Sequence, residues 1–374
     1  MIKGLASKTF NSRIGQGCMG VGGEFTRDYS RVDEQLEAVS LGIELGMTIL
    51  DTAEVYSAGL SEEIIGRAVK GKRDSVFIST KFSPENATYH EVLKAADRSL
   101  FRMKTDYIDL YQPHWPNPNV PIVETMRALK ELQDQGKILH IGVSNFSLKE
   151  MISAQACLPG QTVFSNQVEY NLFDRYIEND ILPFCKNNSS YVMAYSPLDK
   201  GRSAKIDKRI EVLSKIAEKY EKTSSQVALN WLMSQGPVIV IPKSTNPVHI
   251  RLNASAGSFQ LEAEDIKVID KVCSALPEMI SPKRIRVSLE GEGNRPVYQT
   301  IEEALKNELE LSPSPSQLAD DILSEEPIKP VRVRRLANSG SGFDFELIEG
   351  RLRYWAWVIA FKWEKEIACY VRYD

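Results

Sequence analysis

An aspartate, a tyrosine, a lysine and a histidine stand just beyond short apolar runs. Asp51 and Tyr56 follow Thr48-Ile49-Leu50, Lys81 follows Val76–Thr80, and His114 comes after Tyr107–Gln112. These types fit one chemistry. A free phenol titrates at about 10, too high for an effective acid at neutral pH. A neighbouring ammonium, here Lys81, would lower that value, and Asp51 would give the ammonium a fixed counter-charge. His114 would hydrogen-bond a carbonyl oxygen and turn it towards the phenol. The set suits proton donation to a carbonyl oxygen while a nicotinamide or flavin delivers hydride to the carbon. Each residue alone would more often be structural, so the inference rests on the four together. Other apolar runs also end in polar groups: Ser144 and Asn145, Ser165 to Gln167, Tyr195 and Ser196, Lys243 and Ser244.

The elements that must position these groups are legible as alternation. Near-continuous apolar runs at Met47–Leu50, Val76–Thr80, Tyr107–Gln112, His140–Ser144, Thr162–Gln167, Tyr191–Tyr195 and Val238–Ile241 read as parallel strands buried on both faces. Amphipathic stretches such as Asp33–Leu45, Ser61–Lys70, Tyr89–Met103, Ile122–Gln135 and Ile210–Tyr220 separate them. With a first strand near Ile14–Met19, eight strand–helix units fit a closed (β/α)8 barrel better than an open doubly wound sheet. All the polar groups above would then face one mouth. After about Pro277 the alternation stops. Beyond Ile328, strands at Val331–Arg335, Phe343–Ile348 and Ile367–Arg372 and a helix at Arg351–Phe361 suggest a small α+β domain. The expected organisation is a barrel over 1–280 and a second domain, with an N-terminal linker, over 281–374.

The motifs Asp51-Thr52-Ala53-Glu54-Val55-Tyr56, Ser79-Thr80-Lys81, Asp106-Tyr107-Ile108-Asp109-Leu110-Tyr111-Gln112-Pro113-His114-Trp115, Gly142-Val143-Ser144-Asn145-Phe146, Asn166-Gln167-Val168-Glu169-Tyr170-Asn171, Ala194-Tyr195-Ser196-Pro197-Leu198 and Ile241-Pro242-Lys243-Ser244-Thr245 occur in that order. Over about residues 8–276 the chain resembles the aldo-keto reductases. The resemblance implies an NADPH-dependent reductase of aldehydes or ketones on a (β/α)8 barrel. It makes Tyr56 the general acid, tuned by Lys81 and Asp51, with His114 orienting the substrate. It places Ser144, Asn145 and Gln167 on the nicotinamide carboxamide, Tyr195 against the nicotinamide ring, and the loop of Ser196, Leu198 and onward to Arg202 over the pyrophosphate. Lys243 and Ser244 would take the adenosine 2′-phosphate and Asn253 the adenine. The family's phosphate-gripping arginine is replaced by His249, with Arg251 two residues on. An imidazole is a weaker phosphate partner than a guanidinium fork. NADPH is therefore expected with a reduced preference, and NADH as a second cofactor. Phe25, Trp115 and the 199–203 loop are candidates for the substrate mouth.

Gly15-Gln16-Gly17-Cys18-Met19-Gly20 matches a dinucleotide fingerprint, but no helix pattern starts before Arg31, so it reads as a barrel strand and its loop. Five scattered cysteines without a CxxC argue for neither a disulfide framework nor a metal site. Cys18 reads as a small apolar filler. With 46 Lys and Arg against 50 Asp and Glu, no apolar run of membrane length and no secretory core at Met1–Gly17, a cytoplasmic location is expected, with no membrane partner.

The C-terminal sequence Glu346-Leu347-Ile348-Glu349-Gly350-Arg351-Leu352-Arg353-Tyr354-Trp355-Ala356 resembles the strand–Gly–helix box of ParB-like, sulfiredoxin-type domains over about residues 318–374. Arg351 and Leu352 replace the family's acid and first arginine. The resemblance implies a nucleotide or phosphate ligand at Gly350–Arg353, on a helix N-terminus. Residues 286–374 carry 12 Lys and Arg against 16 Asp and Glu, which argues against nucleic acid. A second reading makes the barrel a nicotinamide-redox sensor whose C-terminal domain binds a nucleotide or partner.

Overall fold

The computed structural model describes residues 13–199, 208–273, 277–287, 298–311, 313–324, 328–336 and 342–372. The chain divides into two compact units, residues 1–274 and 275–374.

In the first unit the strands are β1 (Gly15–Gly17), β2 (Ile49–Asp51), β3 (Phe77–Phe82), β4 (Ile108–Pro113), β5 (Ile138–Ile141), β6 (Val143–Ser144), β7 (Ser165–Glu169), β8 (Tyr191–Tyr195) and β9 (Val238–Val240). They pair in parallel as β1-β2-β3-β4-β5 and β6-β7-β8-β9. β5 and β6 are two parts of one barrel strand interrupted at Gly142, whose N–H donates to the Tyr111 carbonyl (3.2 Å). The other seam closes where Ile14 bridges Val240 in parallel and the Gly17 N–H donates to the Pro242 carbonyl (3.1 Å). The result is an eight-stranded closed barrel.

Helices α1 (Val32–Glu44), α2 (Leu60–Ala68), α3 (Tyr89–Met103), α4 (Ile122–Asp134), α5 (Leu148–Ala156), α6 (Ile181–Asn187), α7 (Lys208–Lys219), α8 (Ser224–Ser234), α9 (Pro247–Ala254) and α10 (Ala263–Cys273) follow in this unit. The strands are buried on both faces because two apolar layers meet on them. Outward positions such as Leu50, Ile78 and Tyr111 pack against the helices. Inside, Ile49, Phe77, Leu110, Phe164, Met193 and Ile239 fill the lower barrel. There the rings of Phe77, His140, Phe164 and Tyr191 stack in series. Asp109 clamps the same end: it is buried, pairs with Arg73 (2.6 Å) and accepts from the Ile78 N–H (2.9 Å). The glycines of the apparent fingerprint serve closeness. A Cβ on Gly15 would lie 2.8 Å from the Ile49 carbonyl oxygen, and one on Gly17 2.9 Å from that of Ile241. One expected strand is displaced: Thr162–Gln167 is observed at Ser165–Glu169.

The second unit has a five-stranded mixed sheet of order β10-β14-β12-β13-β11, formed by β10 (Glu278–Ile280), β11 (Ile285–Val287), β12 (Val331–Arg335), β13 (Phe345–Glu349) and β14 (Ile367–Arg372). The helices are α11 (Ile301–Lys306), α12 (Pro315–Leu323) and α13 (Arg351–Phe361). Its core gathers Val331, Val333, Phe345, Leu347, Tyr354, Trp355 and Ile367, with Trp357 and Trp363 packed against it. The expected limit at 280 falls inside this sheet, since Glu278–Ile280 pair with Ile367–Cys369. Two short strands, β10 and β11, lie where no alternation was read.

α2 and α3 cross closely at Gly66, where a Cβ would come 2.3 Å from the Met103 carbonyl oxygen. Gly66→Ala is expected to destabilise the protein by about 1–3 kcal/mol, although alanine is favoured by about 1 kcal/mol in an open helix. Thermal denaturation of the full chain checks this, and an unchanged Tm would contradict so close a crossing.

Candidate active site

The polar layer begins directly above the apolar barrel floor. Residues alternate in and out along a strand, so Phe77, Ser79 and Lys81 of β3 share the inner face. Lys81 is fully buried and its Nζ donates to Asp51 Oδ2 (2.8 Å) and to the Thr52 carbonyl (2.7 Å). Asp51 is equally enclosed. Its Oδ1 accepts from Ser79 Oγ (2.9 Å) and Gln167 Nε2 (2.7 Å). Each ion thus has a hydrogen-bond partner besides the other, which helps a buried pair to persist. Ser79 was not singled out from the sequence beyond its motif. Its place two residues before Lys81 was the available signal.

Tyr56 lies over this pair, with Lys81 Nζ 5.2 Å from the ring centroid. The lowering of its pKa anticipated from Lys81 is not the net effect. Burial pushes the phenol well above its ordinary range, and the Asp51 carboxylate adds to the rise. The lysine's charge is already matched by Asp51, so Tyr56 is a neutral phenol that keeps its proton until something takes it. Tyr56 opens a turn in which Ser57 (φ 53°), Ala58 (φ 49°) and Gly59 (φ 87°) are all left-handed. Asn145 (φ 60°) and Ser196 (φ 46°), on other loops of the same rim, share that conformation. Each non-glycine residue so held costs roughly 1–3 kcal/mol and persists only where its surroundings fix it.

His114 completes the four. Its ring meets that of Tyr56 edge-on, centroids 5.5 Å apart, and stacks on Trp115 at 4.0 Å and 18°. Burial, and secondarily the positive charge of Lys81, lower its pKa from 6.5 to about 2. The imidazole is therefore neutral, and its buried Nδ1 has no partner among the described residues. Cys18 lies nearby, 1 % exposed, its thiol pushed up to about 12 by burial and then by Asp51. It is a filler.

The residues expected on the nicotinamide join the same network. Ser144 Oγ donates to the Gln167 carbonyl (3.1 Å), Asn145 Nδ2 to the His114 carbonyl (2.9 Å), and Tyr195 Oη to Asn145 Oδ1 (3.0 Å). Gln167, expected at the end of its strand, lies within β7, where its Nε2 donates to Asp51 Oδ1. Ser196 offers its carbonyl to Asn171 Nδ2 (3.2 Å), and Leu198 is half-buried against the core. The rest of that loop, from 200 to 207, lies outside the described residues.

Lys243 and Ser244 lead into α9. Ser244 Oγ accepts from the Asn246 N–H (3.1 Å), and Asn246 Oδ1 caps the helix through the Val248 N–H (2.9 Å). Lys243 and Arg251 are exposed and form no ion pair among the described residues. Asn253 is buried. His249 and Asn253, four residues apart, share a helix face, whereas Arg251 projects from a different side. A free lysine, a helix N-terminus and a half-buried tyrosine ring fit a dinucleotide phosphate cofactor.

At Gly350–Arg353 the glycine is left-handed (φ 91°) and opens α13. Arg353 Nη1 already donates to the carbonyls of Lys329 (2.7 Å) and Pro330 (3.1 Å).

The profile described as "Aldo/keto reductase family" matches residues 13–274. Methylglyoxal reductase YeaE of Escherichia coli (strain K12) is 36% identical over 263 residues, spanning 70% of this chain and 91% of the relative. Among solved structures, the thermostable aldo-keto reductase Tm1743, in complex with epalrestat, has a TM-score of 0.67 and 38% identity, covering 70% of this chain and 95% of its own. The Klebsiella pneumoniae aldo-keto reductase in complex with NADPH has a TM-score of 0.63 and 33% identity, covering 70% and 90%.

The neutral histidine carries a stability consequence. Its folded pKa lies below its unfolded one, so its contribution is present above about pH 6.5 and is lost as pH falls. Between pH 7 and pH 5 the protein should lose about 2 kcal/mol that His114→Asn does not lose. Chemical denaturation of both proteins at the two pH values measures it, and parallel losses would mean His114 accepts a proton in the fold.

Proposed function

The chain belongs to the aldo/keto reductase family and reduces aldehydes or ketones to alcohols with NADPH; from that premise we propose which of its residues perform each part of the reaction. Bound NADPH supplies the hydride. Tyr56 donates its phenolic proton to the carbonyl oxygen, and Lys81, ion-paired with Asp51, stabilises the phenolate left behind. His114, neutral, donates a hydrogen bond that turns the carbonyl towards Tyr56. Ser144, Asn145 and Gln167 hold the carboxamide, and Tyr195 packs against the ring. Lys243 and Ser244 hold the 2′-phosphate and Asn253 the adenine. The observation that carries this reading is the closed network Lys81–Asp51–Gln167, in which one carboxylate ties the proton donor's neighbour to a cofactor residue.

The substrate class we infer is the short 2-oxoaldehydes, on the strength of the methylglyoxal reductase relative. Two aromatic candidates for the mouth support it: Phe25 and Trp115 are half-exposed, as a small substrate would need. We place the protein in the cytoplasm, a reading that its five free thiols support. For the second unit we retain the ParB-like reading, supported by β13, the left-handed Gly350 and α13 in sequence. A phosphate at Gly350–Arg353 would have to draw Arg353 from its two carbonyls. The redox-sensor alternative has no support among the relatives.

Tyr56→Phe is expected to abolish nearly all methylglyoxal reduction while NADPH affinity stays close to wild type. Retention of more than about a tenth of the rate, a barrier change of only about 1.4 kcal/mol, would reject Tyr56 as the acid. Titration with both cofactors should give tighter NADPH binding by about tenfold or more. His249→Arg should widen that margin, and equal affinities in wild type would remove Lys243 from the 2′-phosphate.

A further inference from the structure

The turn that carries Tyr56 is held by contacts outside the network above. Ser57 is fully buried, and its Oγ lies 2.8 Å from the Val21 carbonyl and 2.6 Å from that of Gly23, so one hydroxyl proton serves two acceptors. The Ser57 N–H donates to the Glu24 carbonyl (2.8 Å). The segment it grips is itself fixed. The Gly22 N–H donates to Gln35 Oε1 of α1 (2.7 Å), and the Asp28 N–H to the Gly22 carbonyl (2.7 Å). Arg27 Nε adds a bond back to the Ala58 carbonyl (3.2 Å).

Tyr56 has the Ala53 carbonyl as its own main-chain anchor (3.1 Å). Ser57 and Ala58 sit in a conformation that side chains with a Cβ disfavour. Left to itself, the segment would relax to negative φ and swing the phenol away from Lys81. On the far side Gly59 lies against Arg102, where a Cβ would be 2.6 Å from Cδ, so that end of the turn has little room to adjust. The hydroxyl and N–H of Ser57 supply three of the four contacts named above that tie the strained half to the β1–α1 loop, Arg27 the other.

We propose that Ser57 is a positioning residue, fastening the turn that aims Tyr56 to the Val21–Glu24 segment. The proposal rests on the reading of Tyr56 as proton donor. Ser57 touches no reacting atom. It acts through the direction it gives the phenol, so its loss should affect the proton and hydride step and leave cofactor binding alone.

The test uses the full chain. Ser57→Gly accepts positive φ and keeps the N–H, so it removes the hydroxyl without adding strain, and Ser57→Ala removes it with the strain retained. Hydride transfer is followed as loss of NADPH absorbance in single turnovers, with NADPH pre-bound and methylglyoxal saturating. Both variants are expected to slow this step by about tenfold to a hundredfold, the cost of misplacing a reacting group by about an ångström. NADPH affinity should hold within about twofold, a difference of about 0.4 kcal/mol, and the Tm of Ser57→Gly should match wild type. A Ser57→Gly enzyme at the wild-type rate overturns the proposal. So does one whose rate, NADPH affinity and Tm fall together, since that describes general loosening. Tyr56→Phe run alongside separates the two readings: if it stays active the assignment of the acid fails, and if it is inactive while Ser57→Gly is unimpaired, the positioning role alone fails.

Discussion

A lysine and an aspartate placed inside a barrel must be paired on all sides, and much of the surrounding structure meets that demand. Isolated ions in so dry a place would cost several kcal/mol each. Lys81 and Asp51 escape this because each bonds a further group: the ammonium the Thr52 carbonyl, the carboxylate Ser79 and Gln167. Ser79 lies on β3, Thr52 just after β2 and Gln167 on β7, so the carboxylate gains its last partner only when the barrel closes. The apolar floor beneath, from Phe77 to Phe164, sets the height of the polar layer. Removing one ion alone would leave the other stranded, at about 3–5 kcal/mol.

Around this one fixed pair the other groups are neutral. Burial holds the Tyr56 phenol and the Cys18 thiol protonated and the His114 imidazole unprotonated. The arrangement separates tasks that a single titrating residue would have to combine. The charge that will stabilise a departing proton's phenolate is permanent and already in place, so it needs no reorganisation when the proton moves. The donor itself is uncharged and costs little to bury. Hydride transfer to a carbonyl develops negative charge on one oxygen, and in the proposed roles two neutral donors backed by an ammonium would meet it.

How much of this was legible in the sequence differs by scale. The barrel strands announce themselves as β-branched runs because they are buried on both faces, and α3 was readable residue for residue from its periodicity. β10 and β11 were not, since three residues hold no period, and their pairing with β14 and β13 depends on segments far along the chain. The four site residues were legible as types following strands. The direction of the Tyr56 shift was not: it depends on burial and on Lys81 being matched by Asp51, neither of which a spacing reveals. Ser57 carried no signal at all, because a serine after a tyrosine looks like any turn residue until its φ is known.

The same lesson bears on the second unit. The arginines at 332, 334 and 335, read along the chain, suggest a basic face for phosphates. In the sheet, Arg332 pairs with Glu349 at 2.8 Å, and Glu346 accepts from both Arg286 and Arg334. Burial would raise the Glu346 carboxyl, yet the two guanidinium groups hold it below its ordinary range. Alternating registers put these opposite charges across from one another on neighbouring strands, where such pairs stabilise the ladder. A phosphate arriving there would exchange one partner for another instead of filling a need. These paired guanidinium groups therefore offer an arriving phosphate little electrostatic drive.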